Sequence, residues 1–221
     1  MPFAGHPSVG AAWVLHRLGL VHGPVLRQRC EIGTVTLRLG GVDDPVWLDG
    51  NRPRLGAEVD SLGPLAAVGL GEGDLVGLPT YVAGSGLDFC YLFVRPGAIA
   101  RAVPDLQRLR RLRWQGSRIG GVSVVGWHDG AARVRVFTDD IGAAEDPATG
   151  SSALGLGVVL VATGLLPGEG QSRSPSPRAS SLGRPSTLRC TVTAEGGRAV
   201  ASSVGGGVVP VATGTIRRPR G

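Results

Sequence analysis

The chain has 221 residues, 42% of them hydrophobic, and a formal net charge of +6, enough apolar content for one good core or two small lobes of a globular protein. No run of about 18 apolar residues occurs; the nearest approach, Gly155–Leu166, is short and broken by glycines, so no membrane span or membrane partner is expected. The N-terminus shows no basic segment followed by an apolar one, which removes a secretory signal and makes the cytoplasm the expected location.

In chain order, Pro7 to Leu18 reads as a helix, with Pro7 in the first turn and Gly19 as its stop. Pro24–Cys30 and Thr34–Leu39 alternate apolar and polar residues on either side of Ile32–Gly33, the pattern of a hairpin. Pro45–Asp49 suggests another strand, and Leu55 to Gly69 a helical stretch punctuated by Gly and Pro. Thr80–Val94 looks like two strands around a Gly-Ser-Gly turn. The spacing of Leu106, Leu109 and Leu112 predicts a helix over Asp105–Arg113, with arginines on its other faces. The chain contains no lysine, so its positive charge, and a pI near 10.4, reads as coding bias plus a solvated helix face rather than a nucleic-acid partner. Gly121–Trp127 and Ala132–Phe137 read as strands, and Thr149 to about Ala162 as a second long helix. Pro167–Pro185 is a polar Gly/Ser/Pro loop. Ser186–Thr193, Arg198–Val204 and Gly206–Ile216 close the chain as strands. Sheet with few helices, and no regular βαβ pattern, makes the class α+β.

Cys30, Cys90 and Cys190 show neither CxxC spacing nor an even disulfide set, and read as ordinary buried thiols. His16, His22 and His128 form no metal set with His6.

The most informative signal is a repeat. His6-Pro7-Ser8-Val9-Gly10-Ala11-Ala12 and Asp146-Pro147-Ala148-Thr149-Gly150-Ser151-Ser152 share the pattern (His/Asp)-Pro-x-x-Gly-small-small, 140 positions apart, each before an apolar helix. Two copies imply two similar lobes rather than a solenoid. A residue before proline is held extended, just outside a helix N-terminus. Small residues leave the first-turn N–H groups uncovered, and the helix dipole adds positive charge. Two such ends facing each other would cradle a small anion, most simply a carboxylate, with His6 and Asp146 flanking it as proton carriers. Taken singly, each motif also fits a plain helix cap, with Asp146 capping its own helix.

The stretches PFAGHPSVGAAW and AAEDPATGSSALG closely resemble the two signature motifs of the PhzF-like phenazine-biosynthesis family, and GRPSTLRCTV followed by VGGGVVPVATGTI resembles that family's C-terminal stretch. The resemblance implies a diaminopimelate-epimerase-like fold: two pseudo-symmetric lobes, each a curved, mostly antiparallel sheet around a central helix, with the active site between them. It implies isomerisation of a small cyclic or aromatic carboxylate by proton transfer without a cofactor; the family's best-known substrate is trans-2,3-dihydro-3-hydroxyanthranilate. It assigns His6 and Asp146 as the active-site histidine and aspartate, and Gly5, Gly150 and Ser151 as substrate-holding positions. Homodimers are common in the family, so a homodimer is expected.

The related epimerases use paired cysteines, and none of the three cysteines lies at either motif, which disfavours a two-thiol racemase. The family's principal acid/base is a glutamate upstream of the GHP motif, and here His6 is the sixth residue; Glu31, Glu58 and Glu72 all lie downstream. The expected organisation is therefore a first lobe over 1–79, incomplete at its start, a second lobe over 80–205, and a strand over 206–221 returning to the first lobe. An incomplete lobe is expected to expose a sheet edge and part of the first helix's apolar face. The alternative to an enzyme is a non-catalytic remnant that binds a small anion.

Overall fold

The structure of the protein, a computed structural model, describes residues 5–31, 33–41, 44–139, 144–174, 178–179 and 186–215. The elements in order are α1 (Gly5–Arg17), β1 (Val25–Cys30), β2 (Gly33–Arg38), β3 (Val46–Asp49), β4 (Arg54–Glu58), α2 (Leu62–Ala67), β5 (Tyr81–Gly84) and β6 (Asp88–Phe93). Then come α3 (Pro96–Arg101), α4 (Leu106–Arg111), β7 (Arg113–Trp114), β8 (Ser117–Arg118), β9 (Val122–His128), β10 (Ala131–Phe137), β11 (Glu145–Asp146) and α5 (Gly150–Ala162). The chain closes with β12 (Gly170–Ser174), β13 (Arg178–Ala179), β14 (Ser186–Thr187), β15 (Arg189–Glu195) and β16 (Arg198–Gly206).

Two six-stranded sheets organise these elements, which gives the α+β class its two lobes. One has the order β1-β2-β3-β16-β15-β12 and is antiparallel throughout. The other has the order β11-β10-β9-β6-β5-β4, antiparallel except for β6 and β9. A parallel pair needs a long connection; here α3 and α4 lie between the two strands in the chain. Sheet membership divides the chain differently from the expected lobes: β4 pairs with β5, while β12, β15 and β16 extend the sheet of β1–β3.

The alternation along β6 shows why the second sheet is buried on both faces. Phe89, Tyr91 and Phe93 pack with Leu156, Val159 and Leu160 of α5, while Cys90 and Leu92 pack with Ile99, Ala102 and Leu109 of the α3–α4 side. A strand read from the sequence as nearly continuous apolar residues is what such a position requires.

Helix α5 lies between the sheets, against β15 and β16 on one side and β4, β5 and β6 on the other. Every residue from Ser151 to Val161 is buried. Gly155 and Gly157 each cost about 1 kcal/mol of helix propensity relative to alanine. Burial of Leu154, Leu156, Leu160 and three valines, at about 1.5–3 kcal/mol each, outweighs that. The glycines permit the approach itself: a Cβ on Gly157 would lie 3.2 Å from Val192 Cβ, and one on Gly155 would collide with the Tyr91 hydroxyl.

Helix α1 buries Ala12 and Trp13 against Leu37, Leu48 and Val204 of the first sheet. Its other side leaves Val14, Leu15 and Leu18 exposed, and β1 forms an edge of the same sheet.

Three expectations are corrected. Leu55–Gly69 is not one helical stretch: residues 54–58 form β4 on β5, and α2 is a short helix at Leu62–Ala67. The Leu-Gly-Ala run of β4 can pair there because Gly56 leaves room for the Trp114 ring. The stretch over Pro167–Pro185 begins with β12 on β15, and most of its remainder lies outside the described residues. The closing strand is also absent among the described residues: β16 ends at Gly206, and 207–215 form neither helix nor strand. Pro210, without an N–H, sits in that segment. Residues 216–221 lie outside the described residues. No helix among the described residues is long and apolar enough to cross a membrane.

Candidate active site

The start of α5 is built by its preceding turn. β11 pairs with the end of β10, Val136 opposite Asp146 and Phe137 opposite Glu145, which places Asp146 at the sheet's edge just before Pro147. One carboxylate oxygen of Asp146 accepts the Ala148 N–H at 3.1 Å, and the other accepts the Thr149 hydroxyl at 2.8 Å. Thr149, the N-cap residue, is extended and makes no side-chain cap bond. Its hydroxyl is committed to Asp146, so the first-turn N–H groups of α5 carry no side-chain cap.

The start of α1 faces the same space. A cavity of about 380 Å³ is lined by Gly5, His6, Val9 and Gly10 of α1 and by Ala148 and Gly150 at the start of α5. Its remaining walls are Thr187 and Leu188 before β15, and Val204 and Gly206–Val209 at and beyond the end of β16. Two helix N-termini therefore share one cavity, whose walls are otherwise aliphatic side chains and glycine backbone. His6 is the one titratable side chain among the described lining residues.

The repeat does not superpose in secondary structure. α1 begins at Gly5, so His6 and Pro7 lie within its first turn, whereas Asp146 and Pro147 precede α5. Asp146 stands just outside its helix as the spacing predicts; His6 does not. Asp146 also lines a different, far smaller cavity, with Val134, Val136, Ser152 and Leu156. Of the five site residues expected from the sequence, the structure brings Gly5, His6 and Gly150 to the larger cavity, leaves Asp146 beside it, and buries Ser151 outside both linings.

Residues that the sequence did not single out complete the site. Thr187, Leu188, Val208 and Val209 lie in the C-terminal stretches that carry the family resemblance, and read as strand rather than cavity wall. Arg135 and Glu145 form a bidentate pair at 2.9 and 2.7 Å beside Asp146, with Arg135 also donating to the carbonyls of Ile99 and Ala102. An arginine in an alternating strand offers no sequence signal for such a role.

Residues 1–214 match the PhzC-PhzF family, described as phenazine biosynthesis-like protein. The chain belongs to this family. An uncharacterized isomerase of Deinococcus radiodurans is 33% identical over 220 residues, covering 92% of this PhzC-PhzF chain and 69% of the relative. A protein described as a predicted epimerase from Pseudomonas aeruginosa is 32% identical with a TM-score of 0.72, over 94% of this chain and 72% of that one. A phenazine biosynthesis protein of the PhzF family from Bacillus anthracis reaches a TM-score of 0.79 at 16% identity, over 94% of this chain and 73% of that one, a likeness of fold.

Proposed function

We propose that the chain isomerises a small cyclic or aromatic carboxylate by cofactor-free proton transfer in the His6 cavity. That it is an isomerase rests on family resemblance. The finer reading is carried by one observation: the first turns of α1 and α5 and the His6 side chain open onto one cavity of about 380 Å³. Such a volume is near the small end of the roughly 300–1,000 Å³ of ligand pockets. Uncapped first-turn N–H groups and two converging helix dipoles favour a carboxylate. The aliphatic walls suit an apolar ring. His6 would take a proton from a C–H and return it at another position, so that the substrate is isomerised and the imidazole regenerated. Asp146, with both oxygens engaged, acts as a positioning residue for the first turn of α5.

The test is deuterium wash-in. A panel of cyclic and aromatic carboxylates is incubated with the protein in D2O and followed by proton NMR. Exchange at one C–H with wild type and its loss in His6→Ala is the expected result; equal exchange in both removes the role of His6. A second reading, binding of a small anion without chemistry, is favoured by the absence of any carboxylate among the described residues lining the cavity. Saturable binding with no wash-in for any ligand selects that reading.

A further inference from the structure

Two cavities meet at the first turn of α5, on opposite sides of it. His6 and Gly150 line one; Asp146, Thr149, Ser152 and Leu156 line the other, which at about 20 Å³ has room for little more than a water. Among the described residues, Ala148 and Leu188 alone line both. Ala148 contributes no more than a methyl group, so the separating bulk is the side chain of Leu188. That side chain is half-buried, packs against the core formed by α1, β2 and β3, and reaches over Gly206, whose added Cβ would lie 3.8 Å from Leu188 Cδ2. Its backbone is held between β14 and β15.

From this placement we infer that Leu188 is a specificity-determining residue: it divides the His6 cavity from the Asp146 cavity and so limits how long a molecule the site accepts. The inference rests on the reading of the His6 cavity as a carboxylate site. A ring anchored by its carboxylate at the two helix ends meets Leu188 where it would otherwise extend under Asp146, between β10 and α5. Shortening the side chain joins the two spaces through a wall that is then one methyl deep on each side, and their combined lining is aliphatic on both sheets.

Benzoate and 2-naphthoate serve as short and long probes, with affinity measured by titration and position by amide shifts in heteronuclear NMR. In wild type, benzoate should shift the Gly5 and Gly150 amides, and naphthoate should bind more weakly. Leu188→Ala should raise the naphthoate-to-benzoate affinity ratio by roughly tenfold or more, the scale on which a hydrophobic wall discriminates, and naphthoate should then shift Ser152 and Leu156 as well. Leu188→Val, a milder truncation that keeps the core contact, should move the ratio the same way by a smaller factor. Benzoate that shifts Gly5 and Gly150 while the ratio stays unchanged in both variants overturns the divider alone. Benzoate that shifts neither amide in wild type overturns the carboxylate site and the divider with it.

Discussion

Arg135 grips both carboxylate oxygens of Glu145, Nε at 2.9 Å from Oε1 and Nη2 at 2.7 Å from Oε2, immediately before Asp146. The same guanidinium donates to the carbonyls of Ile99 and Ala102 at 2.8 and 2.9 Å and stacks 4.8 Å from the Phe137 ring centre. The strand, the end of α3 and the turn that starts α5 are thereby tied to one side chain. The two side chains are only 15% and 10% exposed, so removing one partner leaves a buried charge. Arg135→Ala is expected to cost about 3–5 kcal/mol in denaturant unfolding, and Arg135→Met with Glu145→Leu to recover most of it. Equal losses in the single and double variants would show that packing, not the pair, carries the effect.

Tyr91 and Gly155 provide the second prediction. The Tyr91 hydroxyl donates to the Ser152 carbonyl at 2.7 Å, and it occupies the space a Gly155 side chain would need. Tyr91→Phe should cost about 1 kcal/mol, one hydrogen bond's net worth. Gly155→Ala should cost more, since the Ala83 carbonyl also stands 3.0 Å from the added Cβ. The two changes should couple: Gly155→Ala is expected to be milder in the Tyr91→Phe background. Strict additivity in a double-mutant cycle would count against this contact.

The sequence exposes α5 and the strands around it well, because their cues are local. Thr149 to Ala162 reads as a helix, and the structure places α5 at Gly150–Ala162. The paired motifs likewise identify the two helix ends that share the cavity. What local cues could not supply is which face each residue lines. Thr187, Leu188, Val208 and Val209 reach the site through strand order, since β16 runs between β3 and β15. The Leu55–Gly69 misreading has the same source: β4 is defined by its pairing with β5, a partner more than twenty residues away. Asp146 was legible as a residue but not its hydrogen bonds, which depend on the rotation of the turn.

The three thiols should separate by burial. Burial pushes the thiols of Cys90 and Cys190 up to about 12, so at pH 8 almost none of either is thiolate, the reactive form. Cys30 is half-buried near the sheet edge and donates to the Gly33 carbonyl at 3.2 Å. Titration of the native protein with a chromogenic disulfide reagent should give one rapid equivalent, lost in Cys30→Ser, and three after unfolding. A rapid reaction at Cys190 would mean that its cluster around α5 opens readily.

Asp88 predicts a pH dependence. Burial raises its carboxyl above the ordinary range, and the Arg54 guanidinium, 2.7 Å away, only partly offsets this. Its other oxygen is buried without a hydrogen-bond partner. The folded state therefore holds the proton more tightly than the unfolded chain. Ionisation costs stability as the pH rises from the unfolded value through the raised folded one, and the cost then stays constant. Asp88→Asn should melt no lower than wild type at neutral pH, with its relative advantage growing between about pH 3 and about pH 6. An advantage that shrinks over that interval would mean the Arg54 pair dominates.

Asp146 separates a positioning role from a proton-carrying one. Its oxygens hold the Ala148 N–H and the Thr149 hydroxyl, so they fix the turn from which Gly150 enters the His6 cavity. Asparagine can keep both contacts, accepting the N–H and donating its amide to the threonine oxygen, but it cannot shuttle a proton. Alanine keeps neither. Asp146→Ala is expected to cost about 1–2 kcal/mol, the scale of a lost helix-start cap, and to weaken carboxylate binding by loosening the first turn of α5. Once a turned-over substrate is in hand, Asp146→Asn should keep kcat within about threefold and KM close to wild type. A loss in kcat of about a hundredfold or more in Asp146→Asn, with melting temperature and KM unchanged, would instead assign Asp146 to proton transfer. It would also require that the Leu188 wall be open during turnover, because Asp146 does not line the cavity that holds His6.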